Sequence, residues 1–308
     1  MTEDWPQESA DFRLASELSG LADAAQELPA VRRVRLSQVE CSYRDWGGDG
    51  LRAIVLLHGG ALTARSWDLV CAGLHEGYHC IAMDQRGHGS TAAPAGAEGH
   101  FDSFVADLAE FVDRLGLADF VLVGQSLGGL VALKYAAAHI DALAGLVVVE
   151  AAPSAPWGAG ERVAATIKDL PSSFASIEEA VRRLHPLDRT TDPRLLEFRL
   201  RQKLRPAPGG GWTWDYDRAH GGRSYGATAG APPVSDSDVV TVACPTLVVR
   251  GSRSRVVDAA AAQRLRERLP RGTLSVVPGG GHNLQDDSPR ALVATLRAWL
   301  DREVGAPG

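Results

Sequence analysis

Short runs of Val, Leu and Ile alternate with longer stretches of mixed polarity through most of the chain. Continuous apolar runs are typical of strands buried on both faces, and the stretches between them have the spacing of amphipathic helices. The alternation therefore predicts a mainly parallel sheet covered by helices. The apolar runs lie at residues 53–59, 79–84, 120–124, 145–150, 245–251 and 273–279.

Two further strands are predicted ahead of these runs, which brings the expected sheet to eight strands. Residues 31–47 alternate apolar and polar positions with a period of two, as two antiparallel strands do. Residues 9–28 have a loose helical period and are expected to lie in an N-terminal extension, residues 1–30. That extension can be a packed helix, a partly ordered arm or a dimer contact, and the oligomeric state, a homodimer included, stays open.

A long interruption separates the strand run that ends at residue 150 from the one that starts at residue 245. The interruption predicts a helical cap at residues 153–240, inserted into an α/β core made of residues 31–152 and 241–308. Inside the cap, helices are expected near 161–170, 176–184 and 193–204, followed by a turn at 206–211.

Composition and charge narrow the class of protein. The 308 residues are 45% hydrophobic and carry a net charge of −6, without a basic stripe interleaved with aromatics, so a nucleic-acid partner is not expected. No apolar run approaches the roughly 20 residues of a membrane helix, and the acidic first residues do not resemble a signal peptide. The cysteines have no metal-binding spacing and are predicted to be buried free thiols, which favours a cytoplasmic location: Cys41, Cys71, Cys80 and Cys244.

The stretch 120–139 carries the clearest chemical signal in the chain. A predicted strand runs into Gly124-Gln125-Ser126-Leu127-Gly128, and a predicted helix follows at once. In such an elbow the serine has strained backbone angles, and the glycines let strand and helix approach closely. Ser126 is therefore predicted to be a nucleophile placed over a helix N-terminus.

A serine nucleophile needs a base and an oxyanion hole, and the chain offers candidates for both. His282 lies in a glycine-rich loop just after the last predicted strand. The strand at 53–57 ends in a glycine turn that exposes backbone N–H groups. The N–H groups of Gly60 and Leu127 are the predicted oxyanion hole. Neither a metal nor a cofactor is expected in this site.

Four motifs in order make the sequence resemble the α/β-hydrolase family over residues 31–302. Residues 58–60 are similar to the family's oxyanion turn, 83–91 to its Asp-x-Arg-Gly-x-Gly turn, 124–129 to its elbow, and 281–289 to its histidine loop. The resemblance implies the α/β-hydrolase fold. It also implies structural roles in the second motif for Asp84, Arg86 and His88, although His88 can also line the pocket.

The triad acid is the point at which the sequence departs from the family. Most members carry it in a Gly-x-x-Asp pattern after the strand that here ends at Gly251, but position 254 is a serine. Asp258 opens a predicted helix, where an aspartate is typical of an N-cap. Some members instead carry a glutamate after the strand that follows the elbow, and Glu150 ends that strand here. Glu150 is the favoured acid, with Asp258 and the absence of a functional acid as alternatives.

A serine with a histidine base predicts an acyl-enzyme mechanism on a small-molecule ester or lactone. The substrate is expected to be apolar, aromatic or polyketide-like. A carbon–carbon hydrolase of the meta-cleavage type is one alternative, and a non-catalytic small-molecule-binding protein with this fold is another. Aromatic side chains are equally able to form the core of the cap and to contact the ligand. The proposed contacts are Trp67, Trp157, Trp212, Trp214 and Tyr216.

Overall fold

An eight-stranded, mainly parallel sheet forms the centre of the molecule. The computed structural model describes residues 6–24, 27–94, 100–153, 169–187, 191–217 and 233–305. The strands of this sheet are β1 Ala30–Arg35, β2 Glu40–Asp45, β3 Ala53–Leu57, β4 His79–Met83, β5 Phe120–Gln125, β6 Leu143–Val149, β10 Thr246–Gly251 and β11 Gly272–Val277. Three short strands between β6 and β10, numbered β7 to β9, form a separate sheet.

The order of strands across the sheet is β1-β2-β4-β3-β5-β6-β10-β11. β1 pairs with β2, and β2 with β4, in antiparallel fashion, whereas all other pairs are parallel. The prediction of eight strands with an antiparallel pair at the start is confirmed. On β6, Val149 is paired with Gln125 of β5 on one side and with Val249 of β10 on the other. The residues that follow these three therefore emerge side by side at the carboxyl edge of the sheet.

Helices cover both faces of the sheet, as the alternating pattern predicts. One hydrophobic layer packs β-strand side chains against α3 Phe101–Arg114, α4 Leu127–Ala138, α7 Asp236–Thr241 and α8 Ala259–Arg268. The other layer packs against α1 Pro6–Leu18, α2 Asp68–Ala72 and α10 Pro289–Glu303. Burial of the strands on both faces explains why their sequences are apolar without alternation.

The N-terminal extension begins with a packed helix. Phe12 of α1 is fully buried, and its ring lies 5.8 Å from that of Trp46 and 6.3 Å from that of Phe198. Glu8 of the same helix forms an ion pair with Arg65 at 2.6 Å. A packed helix, one of the possibilities left open by the sequence, is therefore observed over Pro6–Leu18, and a dimer contact stays a prediction.

The described residues between β6 and β10 include a segment, residues 169–217, with its own hydrophobic cluster. It contains α5 Ile177–Leu184 and α6 Pro193–Lys203, close to two of the expected helices. The helix expected near 161–170 lies almost wholly outside the described residues. The segment also contains strands that the sequence did not predict, since β7 Ser173–Phe174, β8 Leu204–Pro206 and β9 Trp212–Trp214 form an antiparallel sheet. Strands of two or three residues are too short to show a period in the sequence.

The four cysteines are free and buried, which confirms the prediction made from their spacing. Within the described ranges, the helices are too short or too polar to cross a membrane.

Candidate active site

The nucleophile elbow is formed at the junction of β5 and α4. Ser126 has φ 52° and ψ −114°, a left-handed conformation that costs on the order of 1–3 kcal/mol for a residue with a side chain. A Cβ on Gly124 would lie 2.2 Å from the carbonyl oxygen of Gly128, and one on Gly128 would lie 2.5 Å from that of Leu57. The glycines therefore permit the close contact of strand and helix that lifts the Ser126 hydroxyl above the sheet.

His282 lies between the serine and a carboxylate. Its Nε2 is 3.2 Å from Ser126 Oγ, and its Nδ1 is 3.1 Å from Glu150 Oε2. An ionised carboxylate has no hydrogen to donate and can only accept hydrogen bonds. Nδ1 of His282 therefore carries the proton, and Nε2 is left to accept from the serine hydroxyl. The side-chain amide of Gln125 donates to the carbonyl oxygen of His282 at 3.1 Å and anchors its loop. The predicted nucleophile, base and favoured acid are thus brought together in hydrogen-bonding order.

The carboxylate of Glu150 is completely buried and fully engaged. Its Oε1 accepts from the backbone N–H of Gly251 at 2.7 Å, and its Oε2 accepts from the hydroxyl of Ser254 at 2.5 Å as well as from His282. Three donors around one buried carboxylate offset the cost of removing it from water. Glu150 also has a left-handed backbone with φ 52°, a conformation that costs on the order of 1–3 kcal/mol for a residue with a side chain.

Asp258, the alternative acid, is not brought to the site. It is exposed and caps α8, where its Oδ1 accepts from the N–H of Ala261 at 2.6 Å. The carboxylate is therefore occupied by the helix terminus, and the geometry favours Glu150 over Asp258 as the acid. Position 254, where the family pattern leads one to expect an aspartate, instead carries a hydroxyl that donates to Glu150.

The turn after β3 is held by a neutral histidine. Burial lowers the pKa of His58 to about 4, so its ring is uncharged near neutral pH. Its Nδ1 donates to the carbonyl oxygen of Gly59 at 2.7 Å, and its Nε2 accepts from the N–H of Gln85 at 3.0 Å. The Gln85 amide in turn donates to the carbonyl oxygen of His58 at 2.6 Å. These bonds fix the turn that contains Gly60 to the loop after β4.

A second buried histidine, His88, supports the same turn. Its Nε2 accepts from the N–H of Ala61 at 3.2 Å, while its Nδ1 lies 3.0 Å from the carbonyl oxygen of Arg86. His88 is therefore a structural residue of the turn rather than a wall of the pocket. Arg86 makes a buried two-point ion pair with Asp107, and Asp84 accepts hydrogen bonds from two backbone N–H groups, so all three motif residues have structural roles.

The predicted oxyanion donors lie at the ends of two elements beside Ser126. Leu127 is the first residue of α4, and N–H groups in the first turn of a helix have no intrahelical acceptor. Gly60 is half-buried in the turn, directly before Ala61, whose own N–H is engaged by His88. A Cβ on the neighbouring Gly59 would lie 3.2 Å from the Cβ of Ser126, which places the turn against the nucleophile.

The aromatic side chains predicted to contact the substrate lie in different environments in the structure. Trp67 is fully buried in the core layer that includes α1 and packs there. Trp214 and Tyr216 are buried in the hydrophobic cluster of segment 169–217, with the Trp214 indole N–H donating to Pro171 at 2.7 Å, and they are packing residues as well. Trp212 is half-buried and lines a cavity of about 190 Å³ to which none of Ser126, His282 and Glu150 contributes. Trp157 lies outside the described residues.

Three of the predicted aromatic contacts, Trp67, Trp214 and Tyr216, are buried in hydrophobic clusters. An exposed aromatic that awaits a ligand and a buried aromatic that fills a core have the same sequence signal, since both are isolated large side chains in a polar segment. Only three-dimensional contacts distinguish them.

A family-level comparison agrees with this geometry. A model described as the alpha/beta hydrolase family matches residues 54–295. The chain belongs to the alpha/beta hydrolase family. The resemblance drawn from four sequence motifs is thereby confirmed.

Individual relatives of this α/β-hydrolase cover almost its whole length. Esterase Rv0045c of Mycobacterium tuberculosis is 30% identical over 299 residues, which covers 94% of this chain and 96% of that protein. A crystal structure of the same esterase is similar with a TM-score of 0.74. A non-heme chloroperoxidase of Burkholderia pyrrocinia is 28% identical over 85% of this chain and 96% of its own length. The crystal structure of E-2-(acetamidomethylene)succinate hydrolase has a TM-score of 0.78 at 23% identity, covers 89% of this chain and 99% of its own, and shows the fold alone.

Two features of the α/β-hydrolase site are missed by sequence reasoning. The first is Ser254, whose hydrogen bond to Glu150 joins residues 104 positions apart. Its only sequence signal is its place at the position of the expected acid. The second is the attachment of α6 to the histidine loop through Lys203 and Asp286, which are 83 positions apart and have no local signal.

Proposed function

We propose that this α/β-hydrolase is a serine hydrolase that cleaves a carboxylic ester or lactone through an acyl-enzyme on Ser126. The observation that carries the proposal is the chain of hydrogen bonds from Ser126 Oγ to His282 Nε2 at 3.2 Å and from His282 Nδ1 to Glu150 at 3.1 Å. Serine, histidine and carboxylate in this order form the arrangement that activates a hydroxyl for acyl transfer. The similarity to Esterase Rv0045c supports an ester as the substrate class.

The proposed reaction begins with proton transfer from Ser126 Oγ to His282 Nε2 as the hydroxyl oxygen forms a bond to the acyl carbon. The buried Glu150 carboxylate stabilises the resulting imidazolium and holds the ring in the productive tautomer. Charge that develops on the former carbonyl oxygen is stabilised by hydrogen bonds donated by the N–H groups of Gly60 and Leu127. His282 then protonates the leaving oxygen as the acyl–oxygen bond breaks, and water releases the acid from Ser126 by the same steps in reverse.

The segment inserted between β6 and β10 is proposed to act as a cap, bounded by residues 153–240, over the core 31–152 and 241–308. Its described part supports this role in two places. The strip 215–217 hydrogen-bonds to residues 87 and 89, beside the turn that contains Gly60. Lys203 pairs with Asp286, beside the loop of His282. A segment attached next to both the oxyanion turn and the base is well placed to select the acyl group, for which an apolar or aromatic chemistry remains the proposal.

The experiment that tests the function combines turnover of a short-chain aryl ester with labelling by a fluorophosphonate. The wild-type enzyme is expected to hydrolyse the ester and to become labelled, whereas Ser126→Ala is expected to do neither. Ser37→Ala is the matched control, because Ser37 is exposed in the turn between β1 and β2, outside the inserted segment. Ester turnover by Ser126→Ala at the wild-type rate would overturn the proposal. Labelling of the wild type without hydrolysis of any ester or lactone would instead redirect it to another acyl donor.

A further inference from the structure

The hydroxyl of Ser254 has a single available direction for its hydrogen. A serine hydroxyl offers one donor and two acceptor lone pairs. The N–H groups of Val256 and Val257 both donate to Ser254 Oγ, at 3.3 Å and 3.1 Å, and so occupy the acceptor side. Oε2 of Glu150 lies 2.5 Å from the same oxygen. Since an ionised carboxylate can only accept, Ser254 is the donor in this short, charge-assisted bond.

The loop that carries Ser254 is itself held in place on both sides. The guanidinium Nε of Arg250 donates to the carbonyl oxygen of Val257 at 2.8 Å and closes the loop across its base. The N–H of Arg253 donates to the carbonyl oxygen of Gly280 at 2.9 Å, which joins this loop to the loop of His282. A Cβ on Gly251 would lie 2.3 Å from the carbonyl oxygen of Gly281, so the two loops are in direct backbone contact. Ser254 therefore has a defined position relative to the base.

We infer that Ser254 is a positioning residue of the catalytic acid, which deepens the proposed function and rests on it. Oε2 of Glu150 receives both His282 Nδ1–H and the Ser254 hydroxyl, while Oε1 receives the N–H of Gly251. A glutamate reaches its partner through one more rotatable bond than an aspartate, so its carboxylate needs more restraint to meet the imidazole in one orientation. Ser254 supplies that restraint from the very position at which the family pattern would have placed the acid.

The test is a double-mutant cycle between positions 254 and 150, read by kcat and KM on an aryl ester and by the rate of fluorophosphonate labelling. Ser254→Ala is expected to lower kcat and the labelling rate about tenfold, the equivalent of one lost hydrogen bond to a charged group, with KM unchanged. In a Glu150→Gln background the same change is expected to cost nothing further, because the carboxylate through which Ser254 acts is gone. Ser254→Thr, which retains the hydroxyl, is expected to recover most of the rate.

Ser252→Ala is the matched control within the same loop. Ser252 Oγ accepts from the N–H of Gly279 at 2.8 Å, so it anchors the loop, and its side chain is exposed. This variant is expected to lower the melting temperature slightly while kcat stays at the wild-type value. Ser254→Cys keeps the side-chain volume with only a weak donor, and it gives the same comparison if the alanine variant folds poorly.

Either of two results would overturn the inference. In the first, Ser254→Ala has the same kcat and labelling rate as the unmodified enzyme. In the second, Ser254→Ala lowers the rate equally with Glu150 and with Gln at position 150, as a merely structural role would. Failure of the proposed function is recognisable separately. A wild type that is labelled but hydrolyses no ester contradicts the substrate class, and the labelling rates of the cycle still decide the role of Ser254. A wild type that is not labelled at all contradicts both.

Discussion

The ammonium group of Lys203, at the end of α6, lies 2.6 Å from Oδ2 of Asp286 in the short helix α9 Leu284–Asp287. Only 16% and 6% of the two side chains are exposed, so the ion pair is largely removed from water. Arg199, one turn earlier in α6, donates to the backbone carbonyl oxygen of the same aspartate. Since Asp286 follows His282 by four positions, the inserted segment is attached directly to the loop that carries the base.

Loss of one partner of this pair is expected to destabilise the fold. Asp286→Asn removes the carboxylate that is hydrogen-bonded to the nearly buried Lys203 ammonium, and the free energy of unfolding should fall by about 2 kcal/mol. Adding Lys203→Met should restore part of the loss, so the double variant should be more stable than the sum of the single changes implies. Urea denaturation measures both. Glu303→Gln, which breaks an exposed pair with Arg302, is the control and should change stability by less than about 0.5 kcal/mol.

The assignment of the acid predicts a sharp contrast between two carboxylates. Glu150→Gln should lower turnover of an aryl ester by on the order of 10⁴, because the amide keeps the shape but cannot stabilise the imidazolium. Asp258→Ala should leave turnover unchanged and lower the free energy of unfolding by about 1 kcal/mol, since it removes only the N-cap of α8. Steady-state kinetics and thermal denaturation of both variants check this. A collapse of turnover in Asp258→Ala, or its survival in Glu150→Gln, contradicts the assignment.

Close backbone contact at the elbow predicts that Gly128 cannot be replaced. A Cβ there would lie 2.5 Å from the carbonyl oxygen of Leu57 and 2.7 Å from that of His58, and neither backbone atom can move without displacing β3. Gly128→Ala should therefore lose activity and lower the melting temperature by several degrees or prevent folding. Gly209→Ala is the control, because a Cβ at that position would have nothing within 4 Å. Equal melting temperatures for the two variants would show that the elbow tolerates a side chain.

Most of the core fold could be predicted because its signals are local. A strand buried on both faces shows as an uninterrupted apolar run, and a nucleophile elbow shows as glycines around a serine between a strand and a helix. Ser126 and His282 were therefore identifiable from their immediate neighbours. Glu150 was proposed because the resemblance to the family implies a second place for the acid, at the end of the strand that follows the elbow, and β6 does lie beside β5 in the sheet.

The features that could not be predicted depend on contacts between distant residues. Nothing near Ser254 in the sequence indicates that its hydroxyl meets a carboxylate 104 positions away. Trp67 follows the oxyanion turn closely in the chain, but its side chain turns into the layer that contains Phe12 of α1. In both cases the direction of the side chain is decided by tertiary packing, which a linear pattern does not contain.

Burial of His58 predicts how stability depends on pH. Its pKa falls from 6.5 to about 4 on folding, so between these values the unfolded chain binds more protons than the folded one. Stability from this group is therefore complete above pH 6.5 and is lost as the pH falls towards 4, by on the order of 3 kcal/mol. Protonation would also place a donor at Nε2 opposite the N–H of Gln85 and separate the oxyanion turn from the loop after β4.

Asp215 titrates in the same range, so the measurement must isolate His58. Burial raises the pKa of Asp215 to about 6, and that group has the opposite effect, since the folded state then binds more protons than the unfolded one. The difference in unfolding free energy between wild type and His58→Gln cancels such shared contributions. We expect the advantage of the wild type over the variant to shrink between pH 6.5 and 4 in urea titrations at fixed ionic strength. Parallel pH profiles for the two proteins would show that His58 is not held neutral in the folded state.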